Sequence, residues 1–270
     1  MSFDRQVLDH GYIKVVESWG SDERIIESAR MSVQGGFKGW GPLPCPGCKD
    51  SPIAGIIFPG DGMGSEQECT ACKGSGEVVG DEKLLRYLWE HKHMSPFEMA
   101  GATLEIQAPI FVFREWHRHR TQSYNEASAR YSPLADLNYE PTLERCLQDG
   151  RSNKQAGRIA EADADEIQNW LEAVGAFYGY AEQLYRSGLS VGVPKEVARI
   201  VLPVGRYSKM RASANLRNWL TFLTLRVDPA AQWEIRQYAD AVAGALADKF
   251  PRTLTLWQEA GVGVAPGAGL

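Results

Sequence analysis

Apolar residues recur three and four positions apart in DEKLLRYLWEHKH (81–93), where Leu84, Leu85, Leu88 and Trp89 share one face, so the spacing predicts an amphipathic helix. DERIIESARMS (22–32) shows the same periodicity. ATLEIQA (102–108) alternates instead, with Leu104 and Ile106 on one side, and reads as a strand. Pro109 then opens a short apolar run, IFVF. Ser95-Pro96-Phe97-Glu98 has the form of a capping box with proline at the first helical position, which predicts a helix start. Long helices are expected at about 162–187, 194–202, 211–226 and 229–249, the last begun by Asp228 as cap and Pro229. Residues 136–160 are polar and read mostly as loop, and GVGVAPGAGL at the end reads as a loose tail. Few strands and many helices, without βαβ alternation, give an α+β class: an antiparallel sheet flanked by several long helices.

Between Gly35 and Gly80 the periodicity stops, and glycine and proline take over. CPGC (45–48) and CTAC (69–72) stand in the order C-x2-C-x20-C-x2-C. Each pair can wrap two thiolates around one side of a metal, and two such knuckles complete a tetrahedral all-sulfur zinc site of Cys45, Cys48, Cys69 and Cys72. Gly47, Gly74 and Gly76 beside them permit tight turns that bring amides toward the sulfurs. With four cysteine ligands no coordination position stays open, so the zinc would be structural, and a segment with so little core would need it to fold. The second knuckle, CTACKGSG, resembles the C-x-x-C-x-G-x-G unit of J-domain chaperone zinc modules. Four free thiols are the plainer alternative. The expected organisation is a host domain over 1–35 and 80–250, a zinc-ribbon-like insertion over 36–79, and a C-terminal tail over 251–270.

The chain has 270 residues, 44% of them hydrophobic, and a formal charge of -5. That is ordinary globular composition, with an acidic excess that disfavours nucleic acid as a partner. The insertion is itself net acidic. No apolar run approaches the roughly 20 residues of a membrane span, and MSFDRQVLDH lacks a signal peptide's apolar core, so a cytoplasmic location without membrane association is expected.

Against this acidic background, RHRTQSYNEASARY (118–131) concentrates Arg118, His119, Arg120, Glu126 and Arg130. Guanidinium forks suit phosphate oxygens, Ser123, Asn125 and Ser128 add neutral donors, and Glu126 supplies an acceptor for a hydroxyl or ring N–H. The set fits a nucleotide, and it also fits a solvated loop. The i, i+2 spacing of His91 with His93 and of His117 with His119 puts neither pair on one helical face, against metal ligation. The lone GDGMG (60–64) lacks the strand-to-helix setting of a phosphate cradle.

Arg118-His119-Arg120, then seven residues, then Ser128, matches the R-H-R-x7-S signature of flavin-dependent thymidylate synthases, and S-Y-N-E-x-S-x-R-Y extends it. HMSPFE (93–98), PIFVFREW (109–116), VARIVLP (197–203), NWLTFLTLR (218–226) and AQWEIR (231–236) resemble further segments of that family in the expected order. The cysteine insertion is not part of the usual family pattern.

The resemblance implies a homotetramer with active sites shared between subunits. It implies reductive methylation of dUMP to dTMP, with 5,10-methylenetetrahydrofolate as carbon donor and NADPH-reduced FAD as hydride source. By motif position, Ser95, Arg118, His119, Arg120, Glu126, Asn215, Arg217 and Thr221 would contact FAD, and His93 would lie near flavin or folate. Glu115, Arg118, Glu126, Ser128, Ala129, Arg130 and Arg199 would hold dUMP, with Arg130 and Arg199 at its phosphate. Arg226 would act catalytically against the uracil ring, where a guanidinium at N3/O4 stabilises enolate-like charge. Cys146, between Arg145 and Leu147, has no neighbouring general base in sequence, which disfavours cysteine attack on the ring. Ser128 also lacks a base partner and is assigned to binding. Eleven residues separate Asn215 from Arg226, about 1,100° of helix, so both are expected on one face beside a stripe of Leu216, Leu220 and Leu223. The chain departs from the family's common residues at Leu216 (for Ala), Thr221 (for Asn), Glu115 (for Gln) and His117 (for an aromatic). Two rival readings are a different C5 product such as 5-hydroxymethyl-dUMP, and a non-catalytic interaction protein acting through the zinc module.

Overall fold

The structure, a computed structural model, describes residues 3–58, 65–148 and 163–261. In chain order the elements are β1 (Asp4–Val7), β2 (Gly11–Trp19), α1 (Asp22–Arg30), β3 (Pro42–Pro44), β4 (Ile56–Ile57), β5 (Gln67–Glu68), β6 (Glu77–Val79), α2 (Glu82–Glu90) and β7 (Gly101–Pro109). Then come α3 (Ile110–Trp116), β8 (Ser123–Glu126), α4 (Leu143–Leu147), α5 (Ala164–Ser190), α6 (Lys195–Ala198), β9 (Tyr207–Asn215), α7 (Leu216–Arg226), α8 (Trp233–Lys249) and α9 (Pro251–Glu259). The contacts divide the chain into two compact units, Met1–Trp19 with Gly101–Leu270, and Gly20–Ala100.

The first unit is built on a five-stranded antiparallel sheet in the order β1-β2-β7-β9-β8. With its long helices this is the α+β architecture expected from the sequence. β7 is the central strand, pairing with β9 from Gly101↔Asn215 to Pro109↔Tyr207. Leu104 and Ile106 are fully buried, as their alternation required. Trp116, Trp219, Phe222 and Tyr238 form an aromatic core, with the Trp116 and Phe222 rings stacked 4.5 Å apart. Each polar tip is satisfied: Trp219 Nε1 donates to Ala102 O at 3.0 Å, Tyr238 to Gln107 O at 2.8 Å, and Trp116 Nε1 to Gln122 Oε1 at 3.1 Å.

Several expected boundaries are corrected. Residues 211–215 end a strand rather than begin a helix, because Met210, Ala212 and Ala214 are buried while Arg211 and Ser213 face outward. Alternation there outweighs the helix-favouring composition. α8 starts at Trp233, not at Pro229; Asp228 instead closes a turn, its Oδ1 accepting Ala230 N at 2.7 Å and its carbonyl accepting Ala231 N at 2.8 Å. Residues 251–259, assigned to the tail, form α9, with Leu254 and Trp257 buried and Trp257 Nε1 bonded to Thr224 Oγ1 at 3.0 Å. The IFVF run becomes the core of α3. The rest of the expected tail from 262, part of the 136–160 loop (149–160) and GDGMG lie outside the described residues. Among the described residues no helix is long and apolar enough to cross a membrane.

In the second unit α1 and α2 form as the periodicity predicts, burying Ile25, Ile26, Leu85, Leu88 and Trp89. Phe97 joins them, its ring 6.1 Å from Trp89. The capping-box helix at Ser95 is corrected: Ser95–Met99 is one 3-10 turn, Met94 is its N-cap, and no side chain caps it. β7 starts at Gly101, which leaves no room for a longer helix. Asp81 is buried at the start of α2 and accepts from Arg30 and from Lys38 N. β3 pairs with β6 and β4 with β5, forming two short ribbons around the cysteines.

Candidate active site and cysteine cluster

The basic segment is held from below. Tyr124 OH donates to the carbonyls of Trp116 (3.1 Å) and His119 (2.7 Å), and Asn218 Nδ2 of α7 donates to Thr121 O at 3.0 Å. β8 pairs with β9, which fixes Asn125 opposite Arg211 and Glu126 opposite Met210. Sequence reasoning misses Gln122, Tyr124 and Asn218 as supports. Their role depends on contacts between distant segments, which no local pattern carries.

At the end of α7, Arg226 is held by three acceptors. Nη1 bonds Glu115 Oε2 at 3.1 Å, Nη2 bonds Glu115 O at 3.1 Å, and Nε bonds His119 Nε2 at 2.9 Å. His119 therefore presents a lone pair at Nε2, which requires the neutral ring. Burial first, and the Arg226 charge second, lower its pKa from 6.5 to about 4. The ring also packs edge-on against Phe222 at 4.9 Å.

Glu115, Arg118 and Arg226 line one cavity of about 720 Å³, together with Arg145, Thr224, Leu225, Asp228, Ala230, Ala231 and Gln232. That volume lies within the range of small-molecule sites. Arg118, Arg120 and Glu126 have no side-chain partner among the described residues. Their donors and acceptors remain available for a ligand.

The other expected site residues are distributed differently. Ser128 Oγ accepts Arg130 N at 3.3 Å, Ala129 is buried, and the Arg130 guanidinium lies over the Tyr131 ring at 5.2 Å. Lys195 Nζ donates to Tyr131 O at 3.0 Å, bringing this stretch to the start of α6, which runs directly into Arg199. Arg130 and Arg199 do not line the cavity of Arg226: the Arg130 guanidinium lies on Tyr131, and Arg199 Nε donates to Glu196 O at 3.3 Å. The shared face of Asn215 and Arg226 is corrected. Asn215 is the extended N-cap of α7, its Oδ1 accepting Asn218 N at 3.0 Å, so the helical projection does not apply to it. Leu216, Leu220 and Leu223 are buried as expected. Thr221 Oγ1 donates within the helix to Arg217 O at 3.0 Å. Ser95 belongs to the other unit.

A family model described as thymidylate synthase complementing protein matches residues 14–252. The chain belongs to this family. Among its curated relatives are the flavin-dependent thymidylate synthases of Thermus thermophilus, 35% identical over 94% of this chain and 77% of the relative, and of Thermotoga neapolitana, 34% identical over 92% and 90%. Two solved structures titled as a UMP/dUMP methylase PolB from Streptomyces cacaoi are also similar. The one bound with 5-Br UMP has TM-score 0.68 and 28% identity, covering 97% of this chain and 99% of its own. The one bound with 5-Br dUMP has TM-score 0.70 and 28% identity, covering 97% and 100%. The chain is thus an enzyme of the flavin-dependent thymidylate synthase family.

Within this family member the four cysteines come together as their spacing predicted. Cys45 and Cys69 sulfurs lie 3.7 Å apart, Cys48 and Cys72 sulfurs 3.8 Å apart, and all four lie within 4.8 Å of one another. A tetrahedron with Zn–S bonds of about 2.3 Å has edges of about 3.8 Å, so the donor set fits zinc. Gly55 N and Gly76 N each point at a sulfur, of Cys48 and Cys72 respectively, at 3.3 Å. Gly74 and Gly76 adopt positive φ as expected. Gly47 does not; its missing Cβ leaves room for Cys69 Sγ, 3.1 Å from where that carbon would be. Gly55, which no sequence signal marks, has φ +85, and a Cβ there would sit 2.0 Å from Gly74 O.

Proposed function

We propose that the chain converts dUMP to dTMP by reductive methylation, with 5,10-methylenetetrahydrofolate as carbon donor and NADPH-reduced FAD as hydride source. The observation that carries this reading is Arg226, fixed by Glu115 and a neutral His119 beside a cavity of nucleotide size. Uracil C5 becomes nucleophilic when charge on the ring oxygen is stabilised. A guanidinium held in advance by fixed acceptors, with its remaining N–H groups turned to N3/O4, would do this without reorganising during the reaction. Neutral His119 orients Arg226 without adding a competing positive charge. The alternative, a cysteine adding to the ring, has little support: burial pushes the Cys146 thiol up, and the thiol makes no hydrogen bond among the described residues.

When bound and reduced by NADPH, the flavin would supply the hydride that completes the methyl group and be left oxidised. Ser95, Arg118, His119, Arg120, Glu126, Asn215, Arg217 and Thr221 would hold it. The open side chains of Arg118, Arg120 and Glu126 favour this assignment. Glu115, Arg118, Glu126, Ser128, Ala129, Arg130 and Arg199 would hold dUMP. Arg130 and Arg199 lie outside the cavity that Arg226 lines, which suits a homotetramer whose sites draw residues from different subunits. Zinc on Cys45, Cys48, Cys69 and Cys72 would be structural.

Purified protein should be yellow and bleach with NADPH. With dUMP and methylenetetrahydrofolate, the product mass should be that of dTMP; an additional oxygen would replace methylation by hydroxymethylation. UMP belongs in the same assay, because the PolB relatives are titled methylases of both nucleotides. Colourless protein that does not turn over would leave only the interaction-module reading.

A further inference from the structure

With the nucleotide phosphate on Arg130 and Arg199, one arginine at the cavity has no role in the proposed reaction. Arg145, on α4, lines the same cavity as Arg118 and Arg226. It is tightly fixed: Nε bonds Glu234 Oε1 at 2.8 Å, Nη2 bonds Oε2 at 3.3 Å, and the guanidinium lies over the Trp233 ring at 5.4 Å. Glu234 is buried and its oxygens are already shared, Oε1 with Tyr139 OH at 3.2 Å and Oε2 with Gln232 Nε2 at 2.8 Å. Nη1 is the one guanidinium nitrogen of Arg145 without a partner among the described residues. The Arg118 guanidinium is also unpaired there, and Arg226, held by Glu115 and His119, keeps one N–H on each terminal nitrogen for the uracil ring. Beside Arg226 the cavity therefore has two further cationic donors, and one of them is oriented by a saturated buried carboxylate.

We infer that Arg145, with Arg118, forms an oxyanion-binding fork that recognises the second anionic substrate rather than the nucleotide phosphate. A pyrimidine monophosphate carries one dianion, and Arg130 and Arg199 would meet it. Arg118 and Arg145 line the cavity and Arg130 and Arg199 do not, so the cavity carries cationic donors for an oxyanion of its own. The carbon donor brings carboxylates and the reduced dinucleotide brings phosphates, and the guanidinium plane suits either group. Arg145 is a specificity residue in this scheme, and Glu234 is the positioning residue that acts through it.

This inference rests on the proposed function, and wild-type dTMP formation tests that reading separately. Arg145→Lys keeps a cation beside Glu234 but loses the fork, and Arg145→Gln removes the charge. Glu234→Gln loosens the fork's orientation while leaving Arg145 charged. In protein that stays yellow and melts cooperatively, each variant should raise one KM, for the folate or for NADPH, by about tenfold, the weight of one charge-assisted contact. The dUMP dissociation constant, measured by equilibrium binding to the holoenzyme, should stay within about twofold of wild type. A raised folate KM identifies the anion as carboxylate, and a raised NADPH KM identifies it as phosphate. Unchanged KM values for both, or weakening confined to dUMP, would overturn the assignment. Should Arg145→Gln not fold, Arg145→Lys and Glu234→Gln decide the matter.

Discussion

Each guanidinium nitrogen of Arg226 already has a defined acceptor in the fold, and one N–H on each terminal nitrogen is left for a ligand. Arg226→Ala should lower kcat by about a hundredfold or more, as loss of a preorganised charge-stabilising donor does, with FAD content retained. Stopped-flow reoxidation of flavin by dUMP and folate checks this, and a variant at full speed would exclude the role. Arg226→Lys should not restore the rate, since an ammonium cannot address Glu115 and His119 together. The same geometry fixes a pH dependence. His119 titrates at about 4 in the fold against 6.5 in an open chain. Between those values the unfolded chain binds the additional proton, so folding stability rises with pH across that window and is lost as pH falls from 6.5 toward 4. Ring signals of His119 should report a neutral side chain down to about pH 4 by this linkage. His119→Gln should flatten the fall in melting temperature below pH 6.5. Glu115 and His119 are identifiable from the signature and its lead-in, and Arg226 from the separate NWLTFLTLR segment. That they form one hydrogen-bonded group is not, because 107 positions separate Arg226 from His119.

At the scale of elements, the legible parts are those whose burial follows a strong local period. α2 and α7 bury the faces their leucines mark, and β7 buries its alternate residues. The end of β9 reads as helix in sequence because alanine, arginine and methionine favour helices in isolation; its place between β7 and β8 overrides that preference. β8 carries no such signal, since its four residues are polar and it lies at the sheet edge, where one face is solvent. The cysteine segment has no period, and its order comes from turns. Gly55 is the sharpest test. A methyl group there meets Gly74 O at 2.0 Å and forces a side chain into positive φ. Gly55→Ala should therefore reduce bound zinc well below one ion per chain, measured by metal analysis. Zinc retained at full occupancy in that variant would show that the turn is not needed to assemble the sulfurs.

For the whole molecule, the arginines expected at one nucleotide do not all line one cavity of the single chain: Arg118 and Arg226 do, Arg130 and Arg199 do not. Apolar surface supports assembly of several copies. Trp170, Phe177, Tyr180 and Leu184 of α5 remain 44–62% exposed at spacings of seven, three and four, a continuous stripe, and Val197 and Ile200 are also exposed. Stripes of this kind on a folded chain mark contact surfaces. Aspartate at both Phe177 and Leu184 should give a smaller species by light scattering, with flavin lost in proportion if its site spans subunits. Subunit mixing then tests the composite site directly. Arg130→Ala and Arg226→Ala proteins should each be inactive. In mixed assemblies, a site taking Arg226 from one copy and Arg130 from another is intact when the first copy is the Arg130 variant and the second the Arg226 variant. Random assembly of equal amounts makes about a quarter of the sites intact under this symmetry. Activity near that fraction of wild type establishes the shared site. No recovery, with mixed assemblies present by mass, means that both arginines reach the nucleotide from the same chain.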